Sequence, residues 1–433
     1  MEAYKIGLVG WGTVGGGVLE VLARDGALLR ERCGLDIELK AIVTRDPARA
    51  REQDPGSASV GTDLDVILND PEIGTVLHLV GGVDAATEIA VKCLRAGKHV
   101  VTANKAMLAE RWDEVVGAAR EAGKSIAFEA AVAGGIPVIA ALRDGLVANR
   151  IPAFHAILNG TCNYILTQME EQGWGYDEAL AQAKALGYAE ADPTLDVDGT
   201  DTAHKLAILA RIAFTTQIPF SSVNIEGIQA ITAEDIASAK RMGSRIKLLA
   251  VAKQRDEGLE LRVAPTLVPL DNPLAAVSAN YNAVRILADA AGPTLLIGQG
   301  AGALPTASAV LADLVDVATG RYQETANRFR FFGGEAGPQV LPEEDEVTAS
   351  YGRFRVKDRS GVLAELTGLL SRHGVSLLSV HQSEPDAAGV AVFEVTTHPV
   401  QARDFFSAVR AIDAADFTVA PSVILRRMSA SGE

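Results

Sequence analysis

The sequence predicts an α/β chain in three parts, and three observations carry that expectation. A glycine-rich turn stands between an apolar strand and an apolar helix at the N-terminus. Strand–helix alternation continues from there for roughly the first third of the chain. The last portion, about 80 residues, runs strand, helix, strand, strand, helix, strand. At 433 residues the chain is long for one domain, so two or three are expected. With 48% apolar and 22% charged residues it falls among ordinary globular proteins rather than disordered ones. A net charge of -15 disfavours nucleic acid and anionic membranes as partners, because both attract basic surfaces. The cysteines, Cys33, Cys93 and Cys162, are widely spaced and form no CxxC pair, which fits a reducing compartment. The opening "MEAYKIGLVGWG" runs directly into a strand pattern, so no signal peptide is expected, nor is any membrane span. A cytoplasmic location is the expectation.

The first element is the segment "YKIGLVGWGTVGGGVLEVLARD". Ile6, Leu8 and Val9 form a short buried strand, and Gly10-x-Gly12-x-x-Gly15 follows at once. Val14, Val18, Val21 and Leu22 then recur at helical spacing. Glycines in this setting let the backbone turn sharply and approach a pyrophosphate at the helix N-terminus, where Thr13 and Val14 present N–H groups. The pattern predicts a doubly wound, Rossmann-type dinucleotide-binding domain. The second strand, "DIELKAIVTRD", ends with Thr44 and Arg45 where an NAD-preferring site would place an acid. An arginine there suits a 2′-phosphate, so NADP is expected over NAD, although Asp46 is placed to reach a ribose. The strands "TVLHLVGG" and "KHVVTANKAML" end at Gly81-Gly82 and at Thr102 to Lys105. Ligands gather at such carboxyl ends, but a lysine there also fits a plain exposed helix start. "SIAFEAAVAGGIPVIAAL" closes the part, with Glu129 before a small-residue turn from Val132 to Gly135, and a helix from Pro137.

Near residue 150 the pattern changes. A strand leads to the turn Asn159-Gly160-Thr161 and a helix with Tyr164, Ile165 and Leu166. A second helix leads into "AEADPTLDVDGTDTAHK", which holds Glu190, Asp192, Asp196, Asp198 and Asp201 ahead of Lys205. A calcium loop fails here: with Gly199 aligned on the loop glycine, Lys205 falls where a bidentate glutamate is needed. Asp192-Pro193 and Asp198-Gly199 read as turns. Asp201 and Lys205 are spaced i, i+4 on the next helix, compatible equally with an exposed salt bridge and with a buried pair beside a substrate. Leu206, Leu209 and Ile212 line one face of that helix.

Six segments in order resemble the homoserine dehydrogenase family: "GLVGWGTVGGG", "VVTANKAMLA", "FEAAVAGGIP", "ILNGTCNYIL", "LGYAEADPTLDVDGTDTAHKL" and "GQGAGALPTASAVLADL". The resemblance implies reversible, nicotinamide-dependent reduction of L-aspartate 4-semialdehyde to L-homoserine, on the route to threonine, methionine and isoleucine. It implies that Lys105 transfers or orders the proton at the carbonyl oxygen, with Lys205 and Asp201 as its partners. It implies that Glu190 holds the substrate ammonium with Asp196 nearby, and that Asn159, Gly160 and Thr161 line the substrate site. Gly10, Gly12, Thr13, Val14, Arg45, Gly81, Thr102, Lys105 and Gly302, the last with Pro305 and Thr306, are implied at the cofactor. Glu129 with the carbonyls of Val132, Gly134 and Ile136 is implied around a monovalent cation, Na+ or K+. The implied assembly is a homodimer or homotetramer. His78 stands where an acid is common in the family and is read as a core residue. Cys162 is the one residue a phosphorylating semialdehyde dehydrogenase could use as nucleophile. A non-catalytic NADP-binding sensor is the alternative outside enzymology, and the joint presence of Lys105, Glu190, Asp201 and Lys205 speaks against it.

"FFGGEAGPQVLPEEDEVTAS" reads as a linker, being rich in glycine, proline and acid. Beyond it Gly352, Phe354 and Val356 alternate inward, a loop spans Asp358 to Gly361, and a helix carries Val362, Leu366 and Leu369 up to His373-Gly374. Strands near 375–381 and 389–397, a helix near 400–412 and a strand near 416–425 complete the module. This ferredoxin-like pattern resembles an ACT domain, with Ser360 where proline is usual. The resemblance implies an amino-acid effector, L-threonine, while a dimerisation module without ligand is the plainer reading. The expected boundaries are a Rossmann-type domain over 1–135, completed by about 300–325, an α+β catalytic and dimerisation domain over 136–299, a linker over 326–346 and the ACT domain over 347–428.

Overall fold

The computed structural model describes residues 3–52, 55–328 and 337–428. Of the stretch read as a linker, residues 329–336 lie outside the described residues. The chain divides into two compact units, the first made of Met1–Gly160, Asp201–Val223 and Asn280–Gly337, the second of Thr161–Thr200, Asn224–Ala279 and Pro338–Glu433.

The first unit holds a six-stranded parallel sheet in the spatial order Ser59–Gly61, Ile37–Val43, Tyr4–Val9, Ile73–His78, His99–Thr102, Ile126–Ala127. Buried on both faces, these strands read as apolar runs, as parallel strands do. The chain winds outward from Tyr4–Val9 and then returns to its other side at Ile73–His78, so the strand order reverses between them. The carboxyl ends of this pair form the topological switch point, where the crevice for a ligand opens. The helix Thr13–Cys33 and the late helix Ala303–Ala318 pack on this sheet through Val18, Ala307, Val310, Leu314 and Val317, against Ile6, Leu8, Ile42, Leu77 and Val101. Gly17 is where the two helices meet: a Cβ there would stand 2.6 Å from the Ala303 carbonyl oxygen. The same unit contains an antiparallel ribbon of Ala153–Ile157, Tyr281–Ala288 and Gly292–Gln299.

One expectation is modified here. The helix Thr200–Phe214 is buried on every side from Asp201 to Ile212, not along a single face. Ala203, Ala207 and Ala210 are as deep as Leu206 and Leu209, because alanines let neighbouring elements approach the remaining faces.

The second unit is organised by a hairpin of two eleven-residue strands, Ser244–Gln254 and Leu259–Pro269. Its C-terminal module follows the expected order: strand Val347–Lys357, helix Val362–Arg372, strands Leu377–Gln382 and Val390–Thr397, helix Ala402–Asp413, strand Thr418–Arg427. Val347–Lys357 lies between Thr418–Arg427 and Val390–Thr397, with Leu377–Gln382 beyond, and both helices cover one face. Phe354, Leu366, Phe393, Phe405 and Phe417 fill the core between them. In the first helix Leu370, one place after Leu369, is the fully buried leucine of the last turn. A buried pair joins this module to the helix Ala233–Arg241: Arg353 Nε donates to Asp235 Oδ1 at 2.7 Å. Asp235 also closes the capping box with Thr232, so one carboxylate both starts that helix and receives the arginine.

Because Gly17 gives the two sheet-covering helices their close approach, Gly17→Val is expected to destabilise the protein by about 1–3 kcal/mol in urea unfolding. Unchanged stability would show that the helices separate without cost.

Candidate active site

The lysine at the end of the fifth parallel strand is positioned by its neighbours in sequence. Thr102 is buried, and its Oγ1 accepts the Asn104 N–H at 3.1 Å and lies 3.0 Å from His78 Nδ1. Asn104 then caps the next helix, its Oδ1 accepting the Met107 N–H at 2.9 Å. Its Nδ2 donates to the carbonyls of Val80 at 2.8 Å and Gly82 at 2.6 Å. One amide thus ties two strand ends together and starts the helix Lys105–Glu110 with Lys105 at its first position. The Lys105 side chain is 42% exposed and pairs with Asp201 Oδ1.

Asp201 stands at the start of the helix Thr200–Phe214, its side chain 6% exposed. Its other oxygen, Oδ2, accepts from Lys205 Nζ at 2.7 Å and from Asn159 Nδ2 at 2.9 Å. Lys205 Nζ also donates to the Leu158 carbonyl at 2.6 Å. The i, i+4 pair is therefore the buried one, not an exposed salt bridge. Burial alone would raise the Asp201 pKa, but the charges of Lys205 and Lys105 outweigh it and hold the carboxyl well below its ordinary range. The result is a fixed anion between two ammonium groups, built from segments about 40 to 100 residues apart.

The other acids of that segment have different surroundings. Asp192 Oδ1 accepts from the Thr194 N–H and hydroxyl, and Asp198 Oδ1 accepts the Thr200 N–H at 2.8 Å, both closing turns. Glu190 is exposed and Asp196 half-buried, both in the second unit. Thr161, also there, donates from Oγ1 to the Tyr188 carbonyl at 2.7 Å. Cys162 is buried, with its thiol donating to the Asp196 carbonyl, a poor setting for a nucleophile. Gly160 opens the helix Gly160–Gln172, and a Cβ on it would lie 2.7 Å from the Asn280 carbonyl oxygen.

At the switch point Gly10 has φ +98° and no room for a side chain, since a Cβ would meet the Leu79 carbonyl oxygen at 2.4 Å. Gly12, by contrast, faces open space. It precedes the helix Thr13–Cys33, whose start carries no side-chain cap. A cleft of about 980 Å³ lies alongside, lined in part by Trp11, Gly12, Thr13, Gly16, Arg49 and Ala303. Asp46 is occupied as the cap of the helix Pro47–Arg51, accepting the Arg49 N–H at 3.2 Å, while Arg45 beside it is exposed. Gly81 is exposed next to the Gly82 that Asn104 holds. Gly302, at φ +116°, precedes the helix Ala303–Ala318, and its carbonyl accepts the Thr306 N–H at 3.2 Å. His78 is fully buried, and burial lowers its pKa to about 4, as suits a neutral core residue.

Glu129 is buried with its carboxylate turned into a helix start, accepting the N–H groups of Ile139 and Ala140 at 2.8 Å each. Burial pushes its pKa up to about 7 against those two donors. Its own N–H donates to Asp313 Oδ2 at 2.7 Å. Ala133 and Gly134 are both left-handed, at φ 56° and 52°. They shape the buried turn that contains Val132 and Ile136, and Gly134 presses so closely on Gly300 that a Cβ would lie 2.6 Å from its carbonyl.

The family model for homoserine dehydrogenase matches residues 137–315, that for the homoserine dehydrogenase NAD-binding domain residues 10–129, and that for the ACT domain residues 353–417. The homoserine dehydrogenase of Pseudomonas aeruginosa is 43% identical over 98% of this chain and 99% of its own. The chain belongs to the homoserine dehydrogenase family. A crystal structure of the homoserine dehydrogenase from Thiobacillus denitrificans superposes with a TM-score of 0.94 at 41% identity, covering 99% of each chain. A hyperthermophilic archaeal homoserine dehydrogenase mutant in complex with NADPH has a TM-score of 0.62 at 25% identity, over 73% of this chain and 98% of its own. As a homoserine dehydrogenase the chain is a nicotinamide-dependent oxidoreductase with an ACT domain at its C-terminal end. Among the described residues no helix is long and apolar enough to cross a membrane.

Sequence reasoning did not reach Arg211 and His204, which lie against the lysine-bearing helix, or Glu110, the last residue of that helix. The available signal for His204 and Arg211 was polar residues inside the apolar run "TAHKLAILARIAF".

Replacing Asp201 by Asn leaves two ammonium groups facing a neutral amide, and the cost expected at pH 7 is about 3–5 kcal/mol. The lower end applies because Lys105 is half-exposed and screened. The native carboxyl has a depressed pKa, so its stabilisation is present above the unfolded value of about 3.9 and is lost as pH falls below it. The gap in urea unfolding between the two proteins should therefore narrow progressively below about pH 4 and close only where the native carboxyl itself protonates. An equal gap at all pH values would contradict the assigned charge state.

Proposed function

We propose that the protein catalyses reversible reduction of L-aspartate 4-semialdehyde to L-homoserine with NADP(H), in the biosynthesis of threonine, methionine and isoleucine, under feedback by L-threonine at the ACT domain. The observation that carries this reading is the Asp201 carboxylate held between Lys105 and Lys205. Lys105, the more accessible of the two, delivers a proton to the substrate oxygen during reduction and removes it during oxidation. Lys205, bonded to Leu158 and Asp201, holds the cluster in register and adds positive charge where oxygen gains negative charge. Asn159 orients the shared carboxylate, and with Gly160 and Thr161 it lines the substrate site. Glu190, with Asp196, takes the substrate ammonium.

The nicotinamide, when bound, supplies or accepts the hydride. The residues fit such a cofactor: Gly10 permits the tight turn, Gly12 leaves space, and Thr13 and Val14 offer N–H groups to the pyrophosphate. Gly81, Thr102, Lys105 and Gly302 complete its surroundings. NADP is favoured because Arg45 is exposed at this corner, while Asp46, itself exposed, spends one carboxylate oxygen on a helix cap. The archaeal relative was solved with NADPH. A monovalent cation, Na+ or K+, would be held at the turn after Glu129 by the hard carbonyl oxygens of Val132, Gly134 and Ile136. The Glu129 carboxylate meanwhile accepts two N–H bonds from the following helix start. Residues 1–135 with 300–325 form the cofactor domain, 136–299 the catalytic and dimerisation domain, and 347–428 the regulatory domain of a cytoplasmic homodimer or homotetramer.

The test is the initial rate of L-homoserine oxidation with NADP and with NAD, with and without L-threonine, in the wild type and in Lys105→Met. The wild type should prefer NADP and slow with threonine. The variant should still bind NADPH but lose about 10²–10⁴-fold in kcat. Near-normal turnover by Lys105→Met would remove the role given to that lysine, and indifference to threonine would remove the effector.

A further inference from the structure

The helix Lys105–Glu110 has only six residues, and helices this short do not persist without outside support. Its start is held by Asn104. Its end is held by the same long helix that supplies Asp201. Arg211, ten residues after Asp201 on the helix Thr200–Phe214, is 5% exposed. Its Nη1 donates to the Leu108 carbonyl and its Nη2 to the Ala109 carbonyl, each at 2.7 Å, and Nη2 donates also to the Ile218 carbonyl at 2.5 Å. Leu108 and Ala109 form the last turn of the short helix, where carbonyls lack partners within the helix. The guanidinium lies over the Trp112 ring, 5.1 Å from its centroid. Between the two ends, His204 places Nε2 3.3 Å from Glu110 Oε1 and stacks on Phe220 at 4.5 Å. The long helix thus meets the short one through an acid at the lysine end and a guanidinium at the carbonyl end.

We propose that Arg211 is a positioning residue for the reaction: by binding the carbonyls at the end of the helix Lys105–Glu110, it sets where the Lys105 ammonium stands against Asp201. The inference rests on the reading of Lys105 given above. Burying a cation against neutral carbonyls is an expensive way to fill space, and an apolar residue of similar volume would usually serve stability as well or better. What the guanidinium adds is a planar fork that reaches several fixed acceptors at once, which a single ammonium cannot match. The burden on its charge shows in a pKa lowered by burial to about 10. A shift of about 1 Å in a reacting group is enough to cost roughly 10²-fold in rate.

The experiment is a double-mutant cycle in the full-length enzyme, well below its unfolding temperature, with Arg211→Met and Lys105→Met singly and together. Readouts are kcat and KM for L-homoserine at saturating NADP, and NADPH affinity. Arg211→Met should lower kcat about tenfold or more, leaving KM and NADPH affinity within about twofold. In the Lys105→Met background the same change should alter kcat by less than about twofold, since both act through one group. Arg211→Lys should recover little of the loss. If the methionine variant does not fold, Arg211→Gln enters the same cycle in its place. Wild-type kcat in the arginine variant, or an equal fold loss in both backgrounds, would overturn the proposal. Normal turnover by Lys105→Met would bring down the reading of that lysine, and this proposal with it.

Discussion

A carboxylate with almost no access to water is an unfavourable thing to fold around, since taking an ion out of water costs several kcal/mol even after the protein relaxes. Asp201 is tolerated because Lys105, Lys205 and Asn159 all converge on it. Each of those partners depends on a separate part of the chain being in place. Lys105 requires the fifth parallel strand and the Asn104 cap. Asn159 requires the end of the strand Ala153–Ile157. Lys205 requires the helix Thr200–Phe214 to begin where it does. The charge cluster is therefore a check on the assembly of the first unit.

The rest of that unit serves the cluster by bringing a cofactor crevice and a lysine to the same edge of one sheet. The parallel sheet carries its strand ends to a common rim, and the reversal between Tyr4–Val9 and Ile73–His78 opens the crevice there. Asn104 spans from the lysine helix to the loop after Ile73–His78, so the two features share a single amide. In the second unit the buried Arg353–Asp235 pair performs a comparable joining role. It ties the central strand of the C-terminal module to the capped start of the helix Ala233–Arg241.

How much of this was legible beforehand differed by type of feature. The glycine turn, the parallel alternation and the β-α-β-β-α-β module were readable because each rests on local periodicity and on turn residues. The i, i+4 spacing of Asp201 and Lys205 was equally plain, but spacing says nothing of burial, and burial decides whether such a pair is a surface decoration or a site. Lys105 meets Asp201 across 96 residues of chain, a meeting that only the fold creates. Arg211 escaped notice because a charged residue in an apolar helix is ambiguous until its acceptors are known. Those acceptors, the carbonyls of Leu108, Ala109 and Ile218, carry no side-chain signature at all. Glu129 shows the converse: its place before a small-residue turn was readable, whereas the use of its carboxylate as a helix cap was not.

Asp201 is the shared anchor of two lysines, and the geometry around them depends on it. The most direct measurement is kcat for L-homoserine oxidation by Asp201→Asn, at saturating NADP and homoserine, at a temperature where the variant is folded. A loss of about 10²-fold or more is predicted, because both ammonium groups lose the charge that places them. Turnover within a few fold of the wild type would mean that the lysines find their working positions without it, and the central claim would be wrong.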